Sequence, residues 1–186
     1  MHQKPINSGW IEVICGGMFS GKTEELLRRI RRAKIAKLST IIFKPKIDNR
    51  YSNNKIVSHN KNSMDSTNIT KTKEIFELGQ KYNVVGIDEA QFFNNDLIKY
   101  CKKLASNKTR VIVAGLVSDY KGFPFGPMPH IMCESDYLDK LSAICIKCGL
   151  DASFTQRTTK QTQQVVIGET EIYEARCRKC FEPPKK

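Results

Sequence analysis

The sequence lacks the long apolar runs that membrane-spanning and exported proteins carry. None of its runs approaches the ~18 consecutive apolar residues of a transmembrane helix, and residues 1–9 contain no apolar stretch of the signal-peptide type. It also lacks internal repeats and any linker rich in proline or glycine that would separate large domains. These absences argue against a membrane or exported protein, and we expect one main domain, with at most a small appendage, in the cytoplasm.

Acidic residues are outnumbered by basic ones, 19 against 31, which leaves a net charge of +12. Clustered cations attract the phosphates of nucleic acids. The densest basic group, however, lies in a predicted helix whose apolar residues mark a buried face and whose cations fall mainly on the exposed face. That segment combines Leu26, Leu27, Ile30 and Ala33 with Arg28, Arg29, Arg31, Arg32 and Lys34. We interpret the group as a solvated helix face and expect no specific nucleic-acid partner.

The apolar periodicity predicts an α/β protein. Short apolar runs bounded by polar residues are typical of strands in a covered parallel sheet, and they occur at residues 11–15, 39–44, 83–88 and 110–116. Apolar residues at spacings of three and four predict helices at residues 22–37, 72–80 and 96–106. The alternation of strands and helices predicts right-handed crossovers in a parallel sheet flanked by helices. The polar stretch 47–70 predicts a mobile loop or a hairpin.

Residues 16–23 read Gly-Gly-Met-Phe-Ser-Gly-Lys-Thr, between the first predicted strand and the first predicted helix. They fit the pattern G-x-x-x-x-G-K-[ST], in which glycines let successive backbone N–H groups face one phosphate chain. Lys22 would bring a positive charge to the β- and γ-phosphates, and Thr23 a hydroxyl to Mg²⁺. The phosphate-binding candidates are Gly16, Gly17, Met18, Phe19, Ser20, Gly21, Lys22 and Thr23. The expected ligand is a nucleoside triphosphate.

Two carboxylates follow the third predicted strand. Asp88 comes directly after the apolar residues 84–87, and Glu89 is next to it. Phosphate-loop proteins hold Mg²⁺ and the reacting phosphate at the end of such a strand. We therefore expect Asp88 to assist the metal and Glu89 to take a proton from an attacking hydroxyl or water. We also expect this strand to neighbour the one that precedes the phosphate-binding residues.

Four of the seven cysteines form two C-x-x-C pairs separated by 28 residues. The pairs are Cys145 with Cys148 and Cys177 with Cys180. This spacing is typical of a tetrahedral Zn²⁺ site; the alternatives are structural disulfides and a redox pair. Three further cysteines scattered through apolar patterns of an intracellular chain argue against stable disulfides. Because protein thiolates would fill all four positions, we expect the zinc to be structural and to close residues 149–176 into a tethered loop.

These motifs together resemble type II thymidine kinase. The resemblance rests on residues 16–23, the Asp-Glu-Ala-Gln-Phe-Phe segment at 88–93, residues 115–126 and the paired C-x-x-C, and it covers nearly the whole chain. It implies a RecA-like phosphate-loop α/β domain at residues 1–141 and a small zinc-binding lasso domain at residues 142–186. It also implies a homotetramer that uses ATP and Mg²⁺ to phosphorylate the 5′-hydroxyl of thymidine or deoxyuridine, supplies nucleotide salvage for DNA synthesis, and is inhibited by thymidine triphosphate (dTTP).

The resemblance also implies roles for single residues. Glu89 resembles the base that accepts the 5′-hydroxyl proton, while Asp88 and Gln91 join the phosphate-binding set. The residues implied to bind the nucleoside are Met18, Phe92, Leu116, Tyr120, Phe125, Thr155, Val166, Ile167, Gly168 and Tyr173. We expect Arg157, in the same loop, to be either solvated or close to phosphates. No role is assigned to Val117 and Lys121, which depart from the family pattern, or to Asp48, Arg50 and His59.

Two other functions account for part of the sequence. An ATPase whose zinc ribbon grips single-stranded nucleic acid would explain the phosphate loop, the cysteines and the positive charge. Its ribbon should be basic and rich in aromatic residues. Here the stretch 149–176 has three cations and four anions, namely Arg157, Lys160 and Arg176 against Asp151, Glu169, Glu171 and Glu174. A non-catalytic zinc-stabilised module would leave the joint presence of Lys22, Thr23, Asp88 and Glu89 unexplained.

Overall fold

A computed structural model describes residues 8–46, 55–57, 63–166 and 171–184. The strands are β1 (Trp10–Gly16), β2 (Thr40–Pro45), β3 (Lys55–Val57), β4 (Ser63–Asp65), β5 (Thr67–Ile69), β6 (Val84–Ile87), β7 (Arg110–Leu116), β8 (Tyr137–Leu141), β9 (Ala143–Ile144), β10 (Asp151–Ala152), β11 (Phe154–Arg157) and β12 (Tyr173–Arg176). The helices are α1 (Lys22–Ile35), α2 (Lys73–Gly79), α3 (Asp96–Ser106) and α4 (Met128–Glu134), with a 3₁₀ turn at Ala90–Phe92.

The core of the fold is a six-stranded sheet in the order β5-β2-β6-β7-β1-β8, in which every neighbouring pair is parallel. Its central strands are buried on both faces, as their continuous apolar composition requires. Helix α1 covers one face through Leu26, Leu27 and Ile30. Helices α2, α3 and α4 cover the other face. The α/β architecture with a parallel sheet flanked by helices is confirmed.

The four predicted strands and three predicted helices all occur, with ends within two residues of those expected. The polar stretch 47–70 contains a short hairpin, β3 with β4, as one of its two interpretations predicted. The same stretch also contains β5, which pairs with β2 as an edge strand of the main sheet. Strand β8 and helix α4 were not predicted either. Of the residues that the structure describes, none forms a helix long and apolar enough to cross a membrane.

The expected adjacency of the phosphate-loop strand and the acidic strand is wrong. Strand β7 lies between β1 and β6 in the sheet. Helix α1 nevertheless packs across β1, β7 and β6 on one face. The crossing brings the first turn of the helix to the end of β6. The two motifs therefore meet through the helix rather than through neighbouring strands.

One arginine of the basic helix is not part of a solvated face. Arg29 is only 12% exposed and donates hydrogen bonds to carboxylates of Glu12, Glu25 and Asp139. Glu12 also accepts two hydrogen bonds from Arg110 and one from the Trp10 indole. Burial alone would raise the pKa of Glu12, but the hydrogen bonds from Arg110, Trp10 and Arg29 outweigh it and hold that pKa below the ordinary 4.5.

We expect Glu12→Gln to lower the free energy of unfolding at pH 7 by about 3 kcal/mol, because two largely buried guanidinium groups, 12% and 14% exposed, lose their shared anion. Since the folded-state pKa of Glu12 is depressed, its ionisation stabilises the fold above about pH 4.5 and this contribution is lost as the pH falls through the folded-state value. The difference in the free energy of unfolding between the variant and the parent protein should therefore become smaller below about pH 4.5. Urea unfolding at a series of pH values measures it.

Glu134→Gln is the matched control, because Glu134 forms an exposed ion pair with Lys102 in which both side chains are about half accessible. Such a pair contributes at most about 1 kcal/mol. Equal losses in the two variants would show that the Glu12 network does not contribute as a buried unit.

Candidate functional site

The phosphate-loop residues connect β1 directly to α1. Gly21 precedes the helix with a φ of 82°, a left-handed conformation that L side chains rarely adopt. At Gly16 a Cβ atom would lie 2.5 Å from the Leu141 carbonyl oxygen, so only glycine fits this strand end. The glycines at these two positions thus meet two separate requirements of the backbone: a left-handed conformation at Gly21 and a close approach at Gly16. The amide groups of the loop lie at the N-terminus of α1, where the helix dipole favours an anion.

Inside the loop, side chains converge on the carbonyl oxygen of Gly17. The Lys22 Nζ donates to this oxygen at 2.6 Å, and the Ser20 Oγ donates at 2.8 Å. The carbonyl thus holds the lysine ammonium over the loop. A bound triphosphate offers stronger, charged acceptors for the same ammonium.

Thr23 lies in the first turn of α1 beside the end of β6. Its Oγ1 is 3.3 Å and 3.4 Å from the two carboxylate oxygens of Asp88, and Asp88 is buried. A hydroxyl and a carboxylate side by side are oxygen ligands of the kind that Mg²⁺ accepts together with phosphate oxygens. The positions of Thr23 and Asp88 are compatible with the Mg²⁺-binding role that the sequence predicts for them.

Glu89 begins the 3₁₀ turn after β6 with a φ of 51°, and its side chain is half-buried. Its carboxylate accepts a hydrogen bond from the Gln91 Nε2 at 2.5 Å. The Gln91 Oε1 in turn accepts one from the backbone N–H of Leu116 at 2.9 Å. Gln91 is buried and lies outside the phosphate loop, so its contacts connect Glu89 to the end of β7. Gln91 therefore supports the side chain of Glu89, a contact that the sequence analysis did not predict.

Aromatic and apolar side chains lie around this end of the sheet. Phe92 and Phe125 pack edge to face, with ring centroids 5.5 Å apart. Leu116 ends β7 and is half-buried, as is Met18 in the phosphate loop. Phe125 has 8% of its surface exposed. Apolar and aromatic side chains of this kind suit contact with a flat, largely apolar ring.

The C-terminal part of the chain, which we call the lasso (residues 142–184), touches the phosphate loop. The Thr155 Oγ1 accepts a hydrogen bond from the Met18 backbone N–H at 2.9 Å. Phe19 packs against the small apolar cluster of the lasso. Strand β11, which carries Thr155, pairs with β12 in an antiparallel ribbon. The lasso is therefore anchored directly on the loop that would hold the phosphates.

The four paired cysteines come together at the base of the lasso. Their Sγ atoms all lie within 4.8 Å of one another, and those of Cys148 and Cys177 are 3.6 Å apart. A zinc ion with ~2.3 Å bonds to four thiolates has ligand–ligand distances of about 3.8 Å. The cluster therefore fits tetrahedral Zn²⁺. The apolar cluster here contains only alanines besides the cysteines and Phe19, so a metal would supply stabilisation that this small core lacks.

The remaining cysteines lie elsewhere. Burial raises the pKa of the Cys15 thiol, and it raises the pKa of Cys101 to about 12. Both thiols therefore stay protonated and unreactive at neutral pH. Cys133 is exposed on α4. None of the three takes part in the four-cysteine cluster.

Two tyrosines expected to contact a nucleoside donate hydrogen bonds to carbonyl groups of the lasso. The Tyr120 Oη donates to the Thr162 carbonyl oxygen at 2.8 Å, and the Tyr173 Oη donates to that of Val166 at 2.9 Å. Both tyrosines are buried. Ile167 and Gly168 lie outside the described residues, as do Asp48, Arg50 and His59.

Arg157 is not a solvated residue of the loop. Its surface is only 6% exposed, and its guanidinium contacts carbonyl groups of the lasso and the ring of Tyr120 instead of solvent. The alternation of side chains along β11 indicates that Arg157 is buried, because Arg157 stands two residues after the buried Thr155 and so lies on the same face of the strand. Because the neighbouring residues are mostly threonines and glutamines, hydrophobicity alone does not reveal this alternation.

Comparison with known proteins agrees with this site. A profile of the family described as "Thymidine kinase" matches residues 9–181. A thymidine kinase from Rhodothermus sp. is 51% identical over 177 residues, which cover 95% of this chain and 83% of the relative. Thymidine kinases from Bacteroides fragilis and Bacteroides thetaiotaomicron are each 53% identical, over 97% and 96% of this chain and 90% of each relative.

A weaker likeness links the fold to a solved structure of the genome packaging NTPase B204 from Sulfolobus turreted icosahedral virus 2 in complex with ATP-gammaS. The TM-score is 0.47 at 18% identity, over 73% of this chain and 75% of that one. The family match spans most of the chain and includes the phosphate loop, the acidic pair and all four paired cysteines. This chain belongs to the thymidine kinase family.

Proposed function

We propose that this protein is an ATP-dependent thymidine kinase that transfers the γ-phosphate of ATP to the 5′-hydroxyl of thymidine or deoxyuridine. One observation carries the proposal: the phosphate loop, the acidic end of β6 and the lasso meet at one edge of the sheet. Thr23 lies beside Asp88, and Thr155 contacts the amide of Met18. A triphosphate on the loop would thus have its reacting end between the acidic pair and the nucleoside-binding residues.

The chain's own residues have distinct parts in the transfer. Lys22 pairs with the β- and γ-phosphates, and the amides of residues 16–23 hold the phosphate oxygens. Thr23 and Asp88 would hold Mg²⁺, which neutralises charge on the triphosphate when bound. Glu89, oriented by Gln91, accepts the proton of the 5′-hydroxyl as that oxygen attacks the γ-phosphorus. Phosphoryl transfer requires mainly alignment and charge stabilisation, and these residues supply both.

The nucleoside-binding part of the proposal uses two surfaces. Met18, Phe92, Leu116, Tyr120 and Phe125 would cover the pyrimidine ring, and Thr155, Val166, Ile167, Gly168 and Tyr173 would hold it from the lasso. We place the boundary between the α/β domain (residues 1–141) and the lasso domain (residues 142–186) directly after β8. The lasso then acts as a cover whose base is fixed by structural zinc on Cys145, Cys148, Cys177 and Cys180.

The proposal extends to properties that follow from the resemblance to type II thymidine kinases. These are assembly as a homotetramer, inhibition by the end product dTTP, and a place in cytoplasmic nucleotide salvage for DNA synthesis. Sedimentation of the purified protein tests the first of them. Inhibition of turnover by added dTTP tests the second.

The test of the function compares ADP formation from Mg-ATP in four parallel reactions: with thymidine, with deoxycytidine, with neither nucleoside, and with single-stranded DNA. We expect ADP to form rapidly with thymidine alone, because water in place of the nucleoside would not be held in line with the γ-phosphate. ADP formation stimulated by DNA and not by thymidine would contradict the proposal and support the zinc-ribbon ATPase.

A further inference from the structure

Arg157 is a buried cation that the proposed reaction does not use. It is the last residue of β11. Its Nη1 donates to the carbonyl oxygens of Gln161 at 3.0 Å and Gln163 at 2.5 Å, and its Nη2 donates to that of Gln164 at 3.0 Å. Three carbonyl groups within four residues therefore point at one guanidinium. We call residues 158–166, which follow β11, the strap.

The same guanidinium contacts two tyrosines expected to bind the nucleoside. Its Nη2 donates to the Tyr173 Oη at 2.9 Å, and its Cζ lies 3.5 Å from the centroid of the Tyr120 ring. A cation over an aromatic face is an attractive arrangement that strengthens when solvent is excluded. Arg157 thus lies between the strap, the segment after β7 and β12.

All the described hydrogen-bond acceptors of Arg157 are uncharged. Within the part of the chain that the structure describes, no carboxylate lies within ion-pair distance of it, and its buried Nε has no hydrogen-bond partner there. Burying a cation without a carboxylate partner costs free energy of folding, and hydrogen bonds to the cation must offset that cost. Three of the hydrogen bonds made in return hold carbonyl groups of the strap.

The strap has few other means of staying folded. Its residues 158–165 are exposed, so apolar burial contributes little to its conformation. The Tyr120 Oη donates to the Thr162 carbonyl, and the Gln164 Nε2 donates to Asp119 at 3.2 Å. Beyond these, the Tyr173 hydroxyl that accepts from Arg157 donates to the Val166 carbonyl. Among the residues that the structure describes, Arg157 alone contacts the strap at several points and also contacts both of the tyrosines that anchor it.

We propose that Arg157 is a positioning residue that holds the strap in its nucleoside-binding conformation, and so sets the affinity for the nucleoside without taking part in phosphoryl transfer. This inference rests on the function proposed above. In the described structure Arg157 makes no hydrogen bond or ion pair with the phosphate loop or the acidic pair. Losing it should lower the fraction of molecules with an ordered strap. The apparent affinity for the nucleoside falls in proportion to the fraction that remains ordered.

Arginine suits this place and lysine does not. The guanidinium has five N–H donors in a rigid plane, which reach several carbonyl groups at once while its face stacks on Tyr120. A lysine ammonium is a compact charge on a flexible stem and cannot do both. We therefore expect Arg157→Lys to resemble Arg157→Gln rather than the parent protein.

The experiment measures steady-state phosphorylation with Arg157→Lys, Arg157→Gln and the control Arg178→Gln. Arg178 is exposed in the same lasso, with its guanidinium 5.1 Å from the Phe154 ring. We expect KM for thymidine to rise about 10- to 100-fold in both Arg157 variants, as a tenth to a hundredth of the molecules keep an ordered strap. The values of kcat and of KM for ATP should stay within about threefold of the parent. The control should change KM less than about twofold.

Trypsin gives a second readout that does not depend on turnover. Lys160 is exposed in the strap, and Arg157→Gln removes a cleavage site without adding one. Faster cleavage after Lys160 in this variant, slowed again by saturating thymidine, is the expected result. Equal cleavage in variant and parent would contradict a disordered strap.

Three outcomes would overturn the inference. One is a fall in kcat with KM for thymidine unchanged, which would place Arg157 in the chemical step. Another is full rescue by Arg157→Lys, which would show that charge alone is needed. The third is loss of zinc or of the folded lasso in both variants, which would make Arg157 a folding residue. If the parent protein itself fails to phosphorylate thymidine while binding Mg-ATP, the proposed function fails, and the trypsin result still tests the strap.

Discussion

Replacing Glu89 with glutamine should reduce thymidine phosphorylation by about 10²–10⁴-fold, the usual cost of losing a general base. Glutamine keeps the size of the side chain and an oxygen that can accept the hydrogen bond from Gln91 Nε2. It cannot accept a proton at neutral pH. Fold, zinc content and ATP affinity should therefore be close to those of the parent, and the loss should appear in kcat. Single-turnover phosphate transfer with saturating thymidine measures it.

Glu77→Gln provides the matched control for this variant. Glu77 is an exposed residue of α2 that pairs with Lys73. It should leave turnover within about twofold of the parent, since exposed ion pairs contribute little. Near-normal turnover of Glu89→Gln would remove Glu89 from the base role. Loss of ATP binding in that variant would instead assign the carboxylate to the triphosphate or its metal.

Replacing Cys177 with serine should release the zinc and loosen the lasso. A neutral serine hydroxyl is a much poorer ligand than a thiolate, and zinc binding supplies on the order of 10 kcal/mol to small zinc-stabilised folds. The cluster of the lasso otherwise buries only small residues. We expect metal content to fall well below one ion per chain, and KM for thymidine to rise before the α/β domain loses its helices. Elemental analysis measures the metal content, steady-state kinetics the KM for thymidine, and far-UV circular dichroism the helices of the α/β domain.

Cys133→Ser is the control, because Cys133 is exposed on α4 and outside the four-cysteine cluster. It should keep both the metal and the activity. One zinc ion per chain in Cys177→Ser would show that the set of metal ligands is different. An α/β domain that unfolds together with the lasso would show that zinc supports the whole fold.

The parts of the fold that sequence predicted are those in which one interaction dominates. Strands β6 and β7 are apolar on both faces because helices cover both sides, and their runs of valine and isoleucine were sufficient to find them. The edge strands β5 and β8 were missed. Each has only one neighbour in the sheet. Thr67–Ile69 and Tyr137–Leu141 are accordingly short or mixed in polarity, and sequence periodicity does not distinguish them from loops.

The site divides in the same way. Gly21, Lys22 and Thr23 could be predicted as a phosphate site because a backbone that wraps a phosphate restricts the residue type at each position. The paired cysteines were found because zinc geometry fixes their spacing. The contacts of Gln91 and Arg157 were not found. Gln91 contacts Leu116 and Arg157 contacts Tyr120, in each case a segment distant in sequence. Several of their other partners are backbone groups, which have no residue signature.

The same reasoning explains why the order of the sheet was predicted wrongly at one point. Two motifs that act together suggest neighbouring strands, yet β7 separates β1 from β6. Contact between Thr23 and Asp88 depends on the path of α1 across the sheet. A helix crossing of this kind is a tertiary property that neither motif encodes by itself.

The most direct test of the account is the identity of the phosphorylated product. Purified protein would be incubated with Mg-ATP and equimolar thymidine and deoxycytidine, and the products identified by mass spectrometry and ³¹P nuclear magnetic resonance. The account predicts thymidine 5′-monophosphate and ADP in equal amounts, with little of the cytidine product. ADP and inorganic phosphate without any nucleoside monophosphate would contradict it.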